Sequence, residues 1–427
     1  MKKVGVAILG LGTVGGGTYR ILTEKREMFR QVQKLDVSVE AVLEINRAKA
    51  EALGVPEGVL TASLDDVLNN PAVDIVVEVI GGVEPARTFI LSALKRGKTV
   101  VTANKELISK YWYEIEAVAK EHRAGFYFEA SCVGGVPIIR TLIDGMQANR
   151  IESMMGIING TTNFILSKMA NEGLDYGSVL RQAQESGFAE ADPTSDVEGF
   201  DAAYKLSILS SLAFSAKVPL EEVYREGISG IDIKDINLGK ELGYTLKLLG
   251  IGKNTEKGIE CRVHPAFIPK SNPLASVDGS FNAVLLHGDS VDDIMLYGRG
   301  AGALPTGSAI VSDILYAAKQ QEHYYTPFPN TKKADPATRF VTDFETRYYL
   351  RLTVADAVGV LSSISGVLGR HNVSVLVVEQ RGEAKNGAAE IIFITHKTFE
   401  NSIQAAIAEL KKSDLVYAVN TLIRVED

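Results

Sequence analysis

The sequence predicts an α/β protein in three parts: a doubly wound parallel sheet, an α+β domain on a mixed sheet, and a small βαββαβ tail. Three observations carry this. A glycine-rich turn joins a strand-like run to a helix-like run near the amino terminus, and strand-like and helix-like segments then alternate to about residue 130. Past a proline-interrupted stretch near residue 330, the hydrophobic pattern repeats as strand, helix, strand, strand, helix, strand. The expected division is 1–130 for the first domain, completed by about 305–325, then 131–305, a linker at 326–345, and 346–427 for the tail.

The first element is the apolar run Val4–Leu9, which ends in Gly10-Leu11-Gly12-Thr13-Val14-Gly15 before a helical pattern through Tyr19, Ile21 and Leu22. In this Rossmann-type fingerprint Gly10 permits the tight turn, Gly12 lets backbone approach a pyrophosphate and Gly15 allows close packing. The loop and the free N–H groups of the following helix, with Thr13 and Val14, are then the cofactor phosphate site. A GxGxxG pattern alone is also met in plain tight turns; the strand before it and the helix after it make the dinucleotide reading the better one.

The alternation continues through Val37–Leu43, Ser63–Asn69, Asp74–Ile80, Glu84–Arg96, Thr99–Val101, Lys105–Glu121 and Phe126–Glu129. Gly81-Gly82 and Thr102-Ala103-Asn104-Lys105 fall at strand carboxyl ends, where open α/β sheets bind ligands. Lys105 is a cation at a helix start, poorly placed against the dipole unless something anionic faces it. Glu44, closing the second strand, suits a ribose 2′-OH and repels a 2′-phosphate, which leans toward NAD(H) within an NAD(P)H requirement; Arg47 or Lys49 is the alternative that would accept NADP.

Composition narrows the function classes. The chain has 427 residues, 46% of them hydrophobic and 23% charged, with net charge -8, so a phosphate-backbone binder is not expected. No apolar run reaches the roughly 18 residues a membrane span needs, and MKKVGVAILGLG lacks a cleavage site, so a cytoplasmic protein is expected. The two cysteines, Cys132 and Cys261, suit a reducing compartment and cannot form a structural zinc site, and the six histidines show no ligand spacing.

The stretch Ala183–Lys205, AQESGFAEADPTSDVEGFDAAYK, gathers acids around one lysine. Gly187 and Asp192-Pro193 break regular structure, and after Gly199 helical spacing puts Asp201 and Lys205 at i and i+4. A solvated pair, with Ser195 and Glu198 as a capping box, is the ordinary alternative. The order Ala183, Gly187-Phe188, Asp192-Pro193, Asp196-Val197, Gly199, Asp201 and Lys205 resembles the signature of homoserine dehydrogenases, with every spacing kept.

That resemblance implies Lys205 as proton donor and acceptor at the substrate oxygen, supported by Asp201, with Glu190 and Asp196 holding the amino acid and Lys105 reaching the active site. It also implies that Gly156-Ile157-Ile158-Asn159-Gly160-Thr161-Thr162-Asn163 contains the substrate-side turn, with Gly156, Asn159 and Thr161 as substrate contacts, and that Gly302 lies beside the nicotinamide. Gly187 is expected at the cofactor. From the residues themselves, Thr162 or Asn163 is also a plausible helix cap.

Glu129 to Pro137 offers one carboxylate and several bendable carbonyls. A tight turn is the plain reading; the resemblance implies a monovalent cation, Na+ or K+, held by Glu129 and the carbonyls of Cys132, Gly134 and Val136. A Cys132 nucleophile would instead make an acylating aldehyde dehydrogenase, which the want of a nearby histidine disfavours.

The middle segments Gly258–Ile268 and Ala283–Gly288 suggest a mixed sheet whose outer face can bury a partner subunit, and residues 307–321 a helix returning to the first domain. The tail, with strands or helices at Tyr348–Val354, Gly359–Arg370, Val373–Glu379, Ala389–Thr395, Ser402–Lys411 and Val416–Val425, resembles an ACT domain. Val358 stands where such domains usually carry proline. The effector, L-threonine by resemblance, is expected at Asp356, Gly359, Asn372 and Val373; a dimerisation module is the alternative, and a catalytically idle sensor is the non-enzymatic one. Removing the chain after Pro336 is expected to spare catalysis. The resemblance implies reduction of L-aspartate 4-semialdehyde, by a homodimer or homotetramer.

Overall fold

The computed structural model describes residues 1–385 and 387–427. The first sheet has the strands β1 (Lys2–Leu9), β2 (Leu35–Leu43), β3 (Leu60–Thr61), β4 (Ile75–Glu78), β5 (Thr99–Thr102) and β6 (Phe126–Tyr127), all parallel and ordered β3-β2-β1-β4-β5-β6. β4 and β5 are buried along their whole length, because helices cover both faces and leave no solvent side to demand alternation. The order reverses beside β1, so the glycine turn after it and the strand ends of β4 and β5 open into one crevice.

The returning helix begins at Ala303, four residues earlier than the sequence suggested, and ends at Ala317. Pro305 is accommodated in its first turn, where no intrahelical N–H is needed. It lies so close to the first helix, Thr13–Glu24, that a Cβ on Gly17 would stand 2.0 Å from the Ala303 carbonyl oxygen. Only glycine permits that contact.

The second sheet contains β7 (Ile151–Ile157), β8 (Tyr224–Arg225), β9 (Tyr244–Thr255), β10 (Gly258–Pro269), β11 (Phe281–Gly288), β12 (Asp292–Arg299), β13 (Glu345–Ala355), β14 (Val375–Lys385), β15 (Ala388–Thr395), β16 (Thr398–Phe399) and β17 (Val416–Val425). Its main path among the described residues is β12-β11-β7-β9-β10-β17-β13-β15-β14. Middle and tail therefore share one sheet. The junction is parallel pairing of Ala266 and Phe267 on β10 with Arg424 and Val425 on β17.

Buried polar links reinforce that junction. The Arg262 guanidinium, fully buried, donates to both oxygens of Glu426, and Arg351 Nε donates to Asp235 Oδ1 at 2.6 Å; within the tail, Arg424 donates to Glu400 Oε1 at 2.6 Å. The segment leading into the tail is also fastened: Thr326 N donates to Glu116 Oε1 at 2.7 Å, and Ile259 N to the Arg339 carbonyl at 2.8 Å.

The tail keeps the expected βαββαβ order, but the effector candidates do not converge within one chain. Asp356 and Gly359 precede the helix Val360–Arg370, and Asn372 and Val373 follow it. Eleven residues at 1.5 Å rise separate the two pairs by about 16 Å. Val373 is moreover buried in the tail core, while Asn372 takes a left-handed turn at φ 58°.

Candidate active site

The cleft between the first sheet and the middle domain has a volume of about 860 Å³. Thr13, Val14, Lys105, Gly134, Asn159, Thr161, Gly187, Glu190, Asp196, Asp201, Lys205 and Gly302 all line it, so residues spread over 290 positions meet in one place. It continues into a lobe bounded by Glu78, Gly81, Gly82, Asn104 and Tyr204.

At the cofactor end, Gly10 has φ 97°, and a Cβ on Gly15 would lie 2.0 Å from the Gly10 carbonyl oxygen. Gly12 by contrast has nothing within 4 Å of where its Cβ would be, which leaves the backbone open to close approach. Glu44 braces this turn: Oε2 accepts the Leu11 N–H and Oε1 the Asn46 N–H, both at 2.8 Å. Burial opposes its ionisation, but these amides and the charge of Lys49 hold its pKa below the ordinary value. Arg47 is turned away to Glu57, at 2.7 Å. Thr102 does not face the cleft; its hydroxyl donates to the buried Glu78, whose other oxygen accepts the amides of Ile80 and Gly81.

The chemistry-bearing end is built on the helix Phe200–Ala213, which is apolar around nearly its whole circumference and buried. Asp201 and Lys205 are thus not a solvated pair. Lys205 Nζ donates to Asp201 Oδ2 at 2.6 Å and to the Ile158 carbonyl at 2.9 Å, while Lys105 Nζ lies 3.1 Å from Asp201 Oδ1. Burial opposes ionisation of Asp201, but the two ammoniums outweigh it and hold the carboxyl well below the usual carboxylate range. Reciprocally, the Asp201 charge raises the pKa of Lys105.

Asn159 ties the acids together. Its Nδ2 donates to Asp201 Oδ2 at 2.8 Å and to Asp196 Oδ1 at 2.7 Å, and its Oδ1 accepts the Thr162 N–H. Asn159, rather than Thr162 or Asn163, is therefore the cap of the helix Gly160–Glu172. Asp196 has a raised pKa, from burial and from the neighbouring Asp201 charge. Gly156 lies inside β7, away from the cleft, where a Cβ would press on Ile158 and the Ala283 carbonyl. Thr161 Oγ1 donates to the Phe188 carbonyl at 2.8 Å and so joins the turn to the acid-rich segment. The capping box of the alternative reading is not formed: Ser195 offers no cap bond, and Glu198 instead accepts the Ser229 hydroxyl.

Cys132 is enclosed, its Sγ 3.9 Å from the Lys205 carbonyl, and burial pushes its thiol up to about 12. Enclosure and the raised pKa both argue against a nucleophilic thiolate. Glu129 caps the next helical turn, its two oxygens accepting the amides of Ile139 and Arg140; burial and the nearby Asp313 push its pKa up to about 7. The Val136 carbonyl accepts the Ile138 amide at 2.8 Å. Among the described residues no group of three or more His, Cys, Asp or Glu is placed to hold a metal.

A dinucleotide crevice facing a desolvated carboxylate–lysine cluster defines a nicotinamide-dependent oxidoreductase acting on a small polar substrate. The family models agree in detail. Residues 10–129 match the NAD binding domain of homoserine dehydrogenase, 137–315 homoserine dehydrogenase, and 348–414 the ACT domain. The homoserine dehydrogenase of Neisseria gonorrhoeae is 41% identical over 100% of this chain and 99% of its own, and that of Bacillus subtilis shows the same identity and coverage. The crystal structure of a homoserine dehydrogenase from Thiobacillus denitrificans superposes with TM-score 0.93 at 43% identity, covering 100% of this chain and 99% of that one. The chain belongs to the homoserine dehydrogenase family, NAD(P)-dependent enzymes that interconvert L-aspartate 4-semialdehyde and L-homoserine. Among the described residues no helix is long and apolar enough to cross a membrane.

Proposed function

We propose that Lys205 is the proton donor to the substrate oxygen and that Lys105 stabilises charge developing there. The observation that carries this is one buried carboxylate, Asp201, shared by both ammoniums. An ammonium has three donors; on Lys205 two are held by Asp201 and the Ile158 carbonyl, so the third is pre-oriented. The bound nicotinamide supplies or accepts the hydride. Asp201 stays ionised, raises the pKa of Lys105 and holds both ammoniums in place without itself exchanging the proton. Asp196 and Glu190, on the cleft wall, bind the substrate ammonium, and Asn159 keeps Asp196 and Asp201 in register.

Glu44 supports use of NADH at least as well as NADPH, because its carboxylate stands at the ribose end and Arg47 is engaged elsewhere. One solved relative is a hyperthermophilic archaeal homoserine dehydrogenase in complex with NADPH, with TM-score 0.64 at 28% identity, covering 75% of this chain. A monovalent cation would use the remaining lone pairs of Glu129 and the carbonyls of Cys132, Gly134 and Val136, the last of which already accepts the Ile138 amide with one lone pair; these oxygens suit Na+ or K+, and no step is carried through it. An amino-acid effector, L-threonine foremost, requires a second chain to bring Asn372 near a partner's helix start, which fits a homodimer or homotetramer. Two buried free thiols suit a reducing cytoplasm.

The test follows NADH and NADPH absorbance with L-aspartate 4-semialdehyde, with and without L-threonine. Semialdehyde-dependent oxidation, with kcat/KM for NADH equal to or above that for NADPH and inhibition by L-threonine, is expected. Strong NADPH preference would overturn the Glu44 reading, and insensitivity to L-threonine the effector reading.

A further inference from the structure

The two-residue strand β8 touches both the tail and the lysine helix. Tyr224 and Arg225 pair with Arg262 and Val263 of β10, and the Glu226 amide donates to the Val263 carbonyl at 2.8 Å. Successive side chains on a strand point to opposite sides. Here that alternation splits the contacts: Tyr224 and Glu226 face the tail, and Arg225 faces the start of the lysine helix.

On the tail side, Arg424 of β17 donates to the Tyr224 hydroxyl at 2.8 Å and to the Glu226 carboxylate. On the other side, Arg225 Cζ stacks 3.5 Å from the centroid of the Phe200 ring, and its guanidinium donates to the Glu198 carbonyl. Between these two contacts Gly199 starts the lysine helix at φ 77°, with no side-chain cap; a Cβ there would lie 3.2 Å from Val263 Cγ1 and 3.4 Å from Arg225 Cγ. A cation is electrostatically the wrong residue beside a helix amino terminus. Its stacking on Phe200, one residue before Asp201, makes sense as alignment of that first turn.

We propose that Arg225 is a positioning residue for the Asp201–Lys205 pair and that the tail, through Arg424, sets Arg225 by way of β8. The proposal rests on that pair being catalytic. It makes the tail's docking part of how the catalytic helix is held, because the same short strand carries both contacts.

The experiment compares full-length Arg225→Met, Arg225→Lys, Glu226→Gln, the double variant Arg225→Met/Glu226→Gln, and Lys205→Met as a control, each below its unfolding temperature. Arg225→Met is expected to lower kcat about ten-fold with KM for the nicotinamide cofactor unchanged, since misplaced catalytic groups cost rate rather than remote binding. Its kcat pH profile should shift. Arg225→Lys should restore only part, because an ammonium does not stack as a planar guanidinium does. Glu226→Gln should have a smaller effect that vanishes in the Arg225→Met background, as expected for groups acting in series. Parental kcat and pH profile in Arg225→Met, or strict additivity in the double variant, would overturn the proposal; if Arg225→Met does not fold, Arg225→Lys and Glu226→Gln decide it by their kcat and pH profiles. Lys205→Met with near-parental turnover would overturn the underlying assignment too, whereas an inactive Lys205→Met beside a normal Arg225→Met would remove the clamp alone.

Discussion

Asp201 Oδ2 lies 2.6 Å from Lys205 Nζ, one helical turn apart, with both side chains buried. An exposed pair of this spacing contributes only about 0.2–0.5 kcal/mol. Here burial and a second lysine change its role from helix support to charge control.

Asp201→Asn should therefore leave a folded but slow enzyme. The Asp201 charge is the largest cause of the raised Lys105 pKa, so its removal lowers that pKa, and the basic limb of the kcat pH profile should move to lower pH. The accompanying loss is expected to be on the order of 10²-fold. A basic limb that stays where it is would show that Lys105 does not report on this carboxylate.

Glu44 braces the Leu11 N–H, and the proposed reading also sets it at the cofactor ribose. Glu44→Gln keeps an acceptor for the brace and removes the charge. The ratio of kcat/KM for NADPH to that for NADH should rise several-fold, as repulsion of a 2′-phosphate is lifted. An unchanged ratio would mean that cofactor choice is made elsewhere.

The tail junction predicts an acid-sensitive step. Burial opposes ionisation of Glu426, but Arg262 outweighs it and holds the carboxyl at about 2. Its folded pKa is depressed below the unfolded value of about 4.3, so the stabilisation is complete above that value and is lost as pH falls toward about 2. Glu426→Gln leaves Arg262 buried with Glu260 as its remaining carboxylate partner, which should cost at most about 3–5 kcal/mol and flatten the acid limb of stability. Chemical denaturation across pH measures both. For the same reason truncation after Pro336 should lower the stability of the remainder before any regulatory effect is seen. A truncated protein with parental stability would contradict the continuous sheet.

Much of this was legible because the signals are local. The turn Gly10–Gly15 sits between a strand and a helix, and Asp201 and Lys205 are read as neighbours from i,i+4 spacing alone. β9 escaped notice because Gly250 and Gly252 weaken its strand character; their reason is tertiary, since Cβ atoms there would stand 2.7 Å from Ile158 Cδ1 and 2.9 Å from Ser210 Oγ. The pairing of β10 with β17 joins residues more than 150 positions apart, and neither Arg262 nor Glu426 announces its partner. Asn159 was legible as part of a turn, but not as the side chain that bridges Asp196 and Asp201. Arg225 had no sequence signal at all; β8 is too short to show a period.

The central claim is that Lys205 moves the proton, and replacing it by methionine keeps stem length and helix propensity while removing the charge. Single-turnover oxidation of NADH by L-aspartate 4-semialdehyde, measured on parent and Lys205→Met with matched folded fractions, tests it most directly. The account predicts a loss on the order of 10²-fold or more in the chemical step with cofactor binding retained; a rate within a few-fold of the parent would contradict it.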